Sequence, residues 1–385
     1  MTGALSGIRV LELGGLGPAP FAAMMLADHG AEVIRVERIQ QTRDEHISAR
    51  EGLVDWDVTS RSRRSIGMDL KHPSGLELLL EFTENADVFI EGFRPGVAER
   101  LGCGPDVVHQ RNPALVYGRM TGYGQTGPLA NAVGHDINYL GLAGVLGHIG
   151  RHDQAPTPPL NLVGDYGGGA MFLVAGILMA LIERQHSGRG QVVDAAMVDG
   201  AALLMAPLFG ASQSGYWNDE RGTNLLDSGA PFYDSYECSD GTWLCVGAIE
   251  PNFFANFCSV IGLDASWVSR QHDQTAWPEL RALIAVAIGR RGREEWLERF
   301  DGVDACVAPV LTMAQAAHHR HAAERGAFEA IGASLQPAPA PRLSRTPGRI
   351  SLRPQPAAAN TAEVLASLGI SAPRIAELAE QGVIG

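Results

Sequence analysis

Apolar and polar residues alternate in short blocks whose period switches between two and about 3.6. Residues 8–13 (I-R-V-L-E-L) read as a short strand, followed by the turn Gly14-Gly15-Leu16-Gly17-Pro18 and an apolar helical run over 21–28. Residues 31–37 (A-E-V-I-R-V-E) give the next strand, and further elements follow as a helix near 74–83 and strands over 87–91 and 115–120. Strands alternating with helices predict an α/β class, with a parallel sheet covered on both faces and ligand loops at the strand ends. The first turn is glycine-rich, but it runs G-G-x-G-P, and Pro18 and Pro20 remove two donors that a phosphate cradle would use. A tight turn that lets the helix lie on the sheet is the better account.

Past Asp165, three glycines lead into a helix over 170–185 that Ser187-Gly188 ends, then a strand near 191–194 and an apolar helix over 200–208. The pattern then changes to a hairpin, 232–237 and 242–246 around Ser239-Asp240-Gly241, with helices at 252–261, 278–288 and 294–300. This predicts a second, smaller α+β domain. His318, His319 and His321 lie in a helical, alanine-rich stretch and read as a solvated face, not a metal site. Residues 336–356, rich in proline and arginine, predict an extended surface connection before two helices at 361–368 and 373–381.

The chain has 385 residues and a formal net charge of −13, which argues against a general nucleic-acid or anionic-membrane partner. Any anionic ligand must therefore meet local cations. Arg38 follows the second strand, and Arg61, Arg63, Arg64, Lys71, Arg94 and Arg100 recur in later loops, so a phosphate-rich ligand is expected. For 61–64 alone, a solvated charge run is the expected reading. Five scattered cysteines without C-x-x-C spacing predict neither disulfides nor zinc, and fit a reduced cytoplasm. Residues 1–11 carry no secretory pattern, and the longest apolar run, 170–182, is too short to span a bilayer, so a buried helix is expected.

The chemistry concentrates in Gly134-His135-Asp136-Ile137-Asn138-Tyr139 and in Asn161-Leu162-Val163-Gly164-Asp165. Taken singly, His135 reads as a satisfied core histidine and Asp165 as a helix cap. As a pair, both preceding helices, they can project into one cleft and act as proton donor and acceptor. A helix N-terminus would favour the ionised form of Asp165 and supply amides to an oxyanion.

G-I-R-V-L-E-L-G-x-L-G-P-x-P-F, L-A-D-H-G-A-E-V-I-R-V-E-R, R-R-S-I-G-M-D-L-K, G-F-R-P-G-V, G-H-D-I-N-Y, P-P-L-N-L-V-G-D-Y-G-G-G and G-Q-V-V-D-A-A-M-V-D-G strongly resemble the class III CoA-transferase family, α-methylacyl-CoA racemase branch. The resemblance implies a Rossmann-like large CoA-binding domain formed by both chain ends (1–215), a small α+β domain (225–330) and a return segment (331–385), in an interlocked homodimer. It implies His135 and Asp165 as the two acid/base residues, with Glu250 supporting the histidine from a partner subunit. Arg38, Met68, Asp69, Leu70, Lys71, Arg94, Arg100, Gly134, Asp136, Ile137, Asn138 and Tyr139 match coenzyme A-holding positions. No cofactor or metal is implied, because coenzyme A belongs to the acyl-CoA substrate; nor is a nucleic-acid or membrane partner. In the transferase branch the aspartate is a nucleophile and the histidine is generally lacking, which makes His135 the discriminating residue. Residues 41–64 depart from the family's shorter approach, with Ser62 and Arg63 in place of Gly and Lys.

Overall fold

The computed structural model describes residues 3–39 and 57–385. Most of the divergent stretch at 41–64 therefore lies outside the described residues. The chain divides into two compact units: Met1–Ala143, Leu160–Leu204 and Glu324–Gly385 form the first, and Gly144–Pro159 with Met205–Ala323 the second.

The first unit is built on six strands, β1 (Arg9–Leu13), β2 (Glu32–Glu37), β3 (Arg64–Gly67), β4 (Val88–Glu91), β5 (Val116–Thr121) and β6 (Val192–Ala196). All neighbours pair in parallel, in the order β3-β2-β1-β4-β5-β6. That is the Rossmann order, and it reverses direction between β1 and β4. Parallel strands buried on both faces read as apolar runs, and alternate side chains here feed two cores. Leu11, Leu13, Ile34, Val36, Phe89 and Tyr117 point to one side. Val10, Val33, Val88, Ile90 and Val116 point to the other.

Helix α1 (Pro18–Asp28) and the later α4 (Met171–Ser187) cover the second face. Pro18 sits in the first turn of α1, where a missing N–H costs nothing, after Gly17 at φ 73°. Helix α2 (Pro73–Thr83) covers the first face, together with Val364, Leu365, Leu378, Val383 and Ile384 from the end of the chain. Helix α3 (Asp136–Leu142) follows β5, and α5 (Met197–Leu204) follows β6.

Helix α4 is continuous with a π-helical segment, Leu162–Ala170. The combined Leu162–Ser187 helix is long and apolar enough, by length and composition, to cross a bilayer. The helix expected over 170–185 is present, but it is extended at its N-terminal end and buried on one face only. Leu173, Ile177 and Leu181 are buried against the sheet, while Met171, Met179 and Ile182 are exposed.

Three polar elements also differ from expectation. β3 (R-S-I-G) was hidden by its polarity, and a further antiparallel hairpin, Phe328–Ile331 with Ser334–Pro337, reaches into the stretch from 336 onward that was expected to be an extended connection. Arg61 and Arg63 are not on a solvated face but buried. Arg61 makes a two-nitrogen bond to Asp28 Oδ2 at 3.1 and 2.7 Å, and Arg63 pairs with the buried Glu12. Arg64, at the start of β3, pairs with Glu32.

In the second unit, strands Tyr233–Glu237 and Trp243–Gly247 form the expected hairpin, joined by Val307–Val310 as a third antiparallel strand. Helices Pro251–Ile261, Trp277–Ile288 and Arg293–Phe300 bury Phe254, Phe257, Trp277, Trp296 and Phe300 around Phe232. His318, His319 and His321 are exposed, and the helix breaks at His319.

Candidate active site

The reversal of strand order opens a crevice at the C-terminal ends of β1 and β4, the usual ligand position in such sheets. A cavity of about 560 Å³ lies there. Leu16 and Pro18 after β1, Phe93 and Arg94 after β4, Tyr123 after β5 and Met197 after β6 line it, as do Val133, Gly134, His135, Asn138 and Tyr139.

The turn carrying Arg94 is fixed from below. Glu91, fully buried at the end of β4, accepts the Phe93 N–H at 2.6 Å and Arg119 Nε at 2.8 Å. Arg119 reaches on to Glu99 at 2.8 Å. Burial pushes the Glu91 carboxyl above the usual range, against the pull of these donors. Sequence reasoning missed this clamp, although opposite charges at the ends of successive strands, register partners Glu91 and Arg119, were a usable signal.

His135 is the N-cap of α3 and exposed. Its N–H donates to Asn138 Oδ1 at 3.0 Å, and the Asn138 N–H returns to the His135 carbonyl at 2.8 Å. This reciprocal lock sets where the imidazole leaves the backbone. Tyr139 donates its hydroxyl to the Gly134 carbonyl at 2.5 Å and meets Tyr123 edge-on, with ring centroids 5.0 Å apart. Its phenol is pushed up to about 12, mainly by burial, and so stays protonated at neutral pH.

Asp165 is half-buried inside the π-helical segment, not at a simple helix start. π-turns of this kind recur at functional sites. Its Oδ2 accepts Asn161 Nδ2 at 3.1 Å and would stand 3.7 Å from a methyl placed on Gly17, between the cavity-lining Leu16 and Pro18. The surroundings of Asp165 push against the expected preference for its ionised form. Burial raises its proton affinity and neighbouring Asp136 adds to this, while the Asn161 bond and His135 oppose it. The Asp165 N–H is also not available to an oxyanion, because Asp136 Oδ2 takes it at 2.7 Å. That bond ties Asp165 to the residue that follows His135.

The sequence profile of CoA-transferase family III matches residues 5–361. The chain belongs to that family. Within it, the chain is 44% identical to the alpha-methylacyl-CoA racemase of Mus musculus over 382 residues, covering 99% of this chain and 97% of that protein. It is 42% identical to the racemase of the same name in Homo sapiens over 385 residues, with the same coverage. A succinyl-CoA–D-citramalate CoA-transferase of Chloroflexus aurantiacus is 34% identical over 73% of this chain and 72% of its own length. Among solved structures, a CaiB/BaiF family protein of Brucella suis shares the fold with a TM-score of 0.81 at 23% identity, covering 96% of this chain and all of that one. Hypothetical protein Rv3272 of Mycobacterium tuberculosis aligns at 0.77 and 25% identity, covering 94% and 99%.

The other family-matched positions are distributed along the C-terminal edge of the sheet. Arg38 after β2 and Lys71 after β3 are exposed, as are Arg94 and Arg100. None of the four makes an ion pair among the described residues. Met68 is buried in the core, its N–H bonded to the Glu37 carbonyl, and Leu70 packs on that core. Asp69 Oδ1 accepts the Lys71 N–H at 2.9 Å, so its carboxylate shapes the turn. Of this set only Arg94, Gly134, Asn138 and Tyr139 line the cavity. Ile137 is exposed and Asp136 buried. Glu250 lies in the second unit, exposed, at the N-cap of Pro251–Ile261. Among the described residues no group of three or more His, Cys, Asp or Glu converges as a metal site.

Proposed function

We propose that this protein interconverts (R)- and (S)-2-methylacyl-CoA thioesters by 1,1-proton transfer, with His135 and Asp165 as the two acid/base groups. His135 lines the cavity, and Asp165 is tied by its N–H to the next residue, Asp136, with its carboxyl beside Gly17 between two lining residues; this juxtaposition supports the reading, in a chain that matches the mouse racemase over nearly its whole length. A thioester acidifies its α-hydrogen because sulfur donates poorly into the carbonyl. One base removes the proton from one face, an enolate forms, and the conjugate acid of the other returns a proton to the opposite face. The epimers are close in energy, so the two bases work best when their proton affinities are similar. Raising an aspartate towards a histidine serves that match.

Coenzyme A is part of the substrate in this reading, and no separate cofactor enters the proton transfer. Arg38, Lys71, Arg94 and Arg100 meet its phosphates, and remote binding energy places the reacting carbon. In this reading the first compact unit is the CoA-binding domain and the second the small domain, drawn differently from the expected 225–330 because it takes in Gly144–Pro159 and runs over Met205–Ala323. Met179 and Ile182 on α4, with Leu203 and Leu204 on α5, leave apolar surface of the kind that a second copy covers in a homodimer. Glu250 supports the histidine across that dimer. Mixing Glu250→Ala with His135→Ala subunits is expected to regenerate active sites; proven heterodimers without any recovered exchange would remove Glu250 from the site. We further propose a cytoplasmic location, which the free cysteines fit, and a role in lipid metabolism, which follows from the proposed substrate.

The test is to incubate one 2-methylacyl-CoA epimer in deuterated water and follow α-deuterium and configuration together. Both are expected to change, and His135→Ala and Asp165→Ala each lower the rate by about 10²–10⁴-fold. CoA appearing on an added carboxylate, with no deuterium uptake, would instead make the protein a CoA-transferase with Asp165 as nucleophile.

A further inference from the structure

The residue after the catalytic histidine has turned away from the cavity. Asp136 is 6% exposed, and its Oδ2 accepts the Asp165 N–H at 2.7 Å. In a π-helical segment the first N–H groups have no partner within the helix, so this bond caps one of those orphans from another element. The other oxygen, Oδ1, is buried with no hydrogen-bond partner. A carboxylate satisfied on one side only keeps most of its field, and low polarity around it weakens screening. Gly164 makes the approach possible: a methyl group there would stand 2.5 Å from Asp136 Oδ2.

We propose that Asp136 is a positioning residue for the acid/base pair: it ties the backbone of Asp165 to the peptide that carries His135, and sets a negative charge beside the Asp165 carboxyl. One short linkage, from His135 through the next peptide and carboxylate to the Asp165 N–H, then fixes the spacing of the two bases. It also makes Asp165 a stronger base than an isolated aspartate, the direction in which burial and Asp136 both push it. The groups facing Asp165 are Asp136, His135 and the Tyr139 phenol from α3, and the neutral Asn161 amide from its own segment; Gly17 offers backbone only. Removing the Asp136 charge therefore leaves His135 as the nearest ionic influence, and that lowers the proton affinity of Asp165.

This inference rests on the racemase reading for its kinetic consequence but not for its electrostatics, and the experiment separates the two. The Asp165 carboxyl carbon is titrated by ¹³C NMR in the wild type, Asp136→Asn and Gly164→Ala, with Asp165→Asn to assign the signal. Deuterium exchange is measured against pH in the same proteins, and thermal unfolding checks that each is folded. Asp136→Asn keeps shape and removes charge. Gly164→Ala keeps the charge and displaces it, because the methyl meets only the end of a side chain.

In both variants the Asp165 midpoint is expected to fall by about half a pH unit or more. The acid limb for the direction in which Asp165 is the base should move down with it, and turnover should drop about 10–100-fold with little change in KM. An unchanged midpoint in both variants overturns the proposal, whatever happens to stability. A wild type that exchanges no α-hydrogen overturns the racemase reading instead, and the NMR titration still decides on Asp136. If Asp136→Asn fails to fold, the midpoint in Gly164→Ala decides alone: a fall supports the proposal and no change overturns it.

Discussion

At the N-terminal edge of the parallel sheet, basic side chains are consumed by partners; at the C-terminal edge, those on the loops make no ion pair among the described residues. Arg9 and Arg64 share Glu32, Arg184 pairs with Asp87 at 2.9 Å, and Arg61 is buried on Asp28 with Gln336 and the Pro337 carbonyl as further acceptors. At the other edge Arg119 is held inside by Glu91 and Glu99, whereas Arg38, Lys71 and Arg94 make no ion pair among the described residues. In a chain of net charge −13, cations unpaired among the described residues are where the proposed thioester's phosphates would be met. Counting arginines does not reveal this; knowing which have spent their charge does.

The contrast is most strongly tested at Arg61. Arg61→Ala strands Asp28 in the interior, and a loss of about 3–5 kcal/mol is expected in denaturant unfolding, with KM for the thioester unchanged in whatever folds. Arg94→Ala should behave oppositely. KM is expected to rise about tenfold, the equivalent of one charge-assisted contact, while the unfolding midpoint stays put. A large stability loss at Arg94 would show that the two edges do not differ in kind. The smallest effect is expected at Arg9, whose pair with Glu32 is part-exposed: Arg9→Ala should cost under about 1 kcal/mol, less still at high salt, and leave catalysis alone.

The same contrast explains what the sequence could and could not reveal. β1, β2, β4 and β5 were legible because each carries a buried apolar stretch, Val10-Leu11, Val33-Ile34, Val88-Phe89-Ile90 and Val116-Tyr117, despite charged residues such as Glu12, Arg35 and Arg119 within the same strands. β3 was not, since its Arg64 and Ser65 are satisfied by Glu32 and Glu37, partners far away along the chain. Arg61 and Arg63 looked like a solvated run for the same reason. The strand Val307–Val310 was obscured by Pro309 and by alternating partial exposure. At the site, His135 and Asp165 were identifiable from their motifs. The state of Asp165 was not, because it depends on burial and on Asp136, which reaches it from a different element.

The last stretch of the chain lies on the first strands of the sheet. Ile384 bridges to Met68, the Thr361 hydroxyl accepts the Gly67 N–H, and Val364, Leu365 and Leu378 roof over Leu11, Ile34 and Phe89. During synthesis the early strands therefore emerge with one apolar face covered only in part, by α2, and they wait for nearly the entire remaining chain before the rest of that cover is made. Nascent-chain handling has a long interval to bridge, and the sheet unit acquires its full cooperativity only at the end. A cut within the connection at 336–356 would leave a sheet whose residual stickiness, not its lost chemistry, becomes the first symptom.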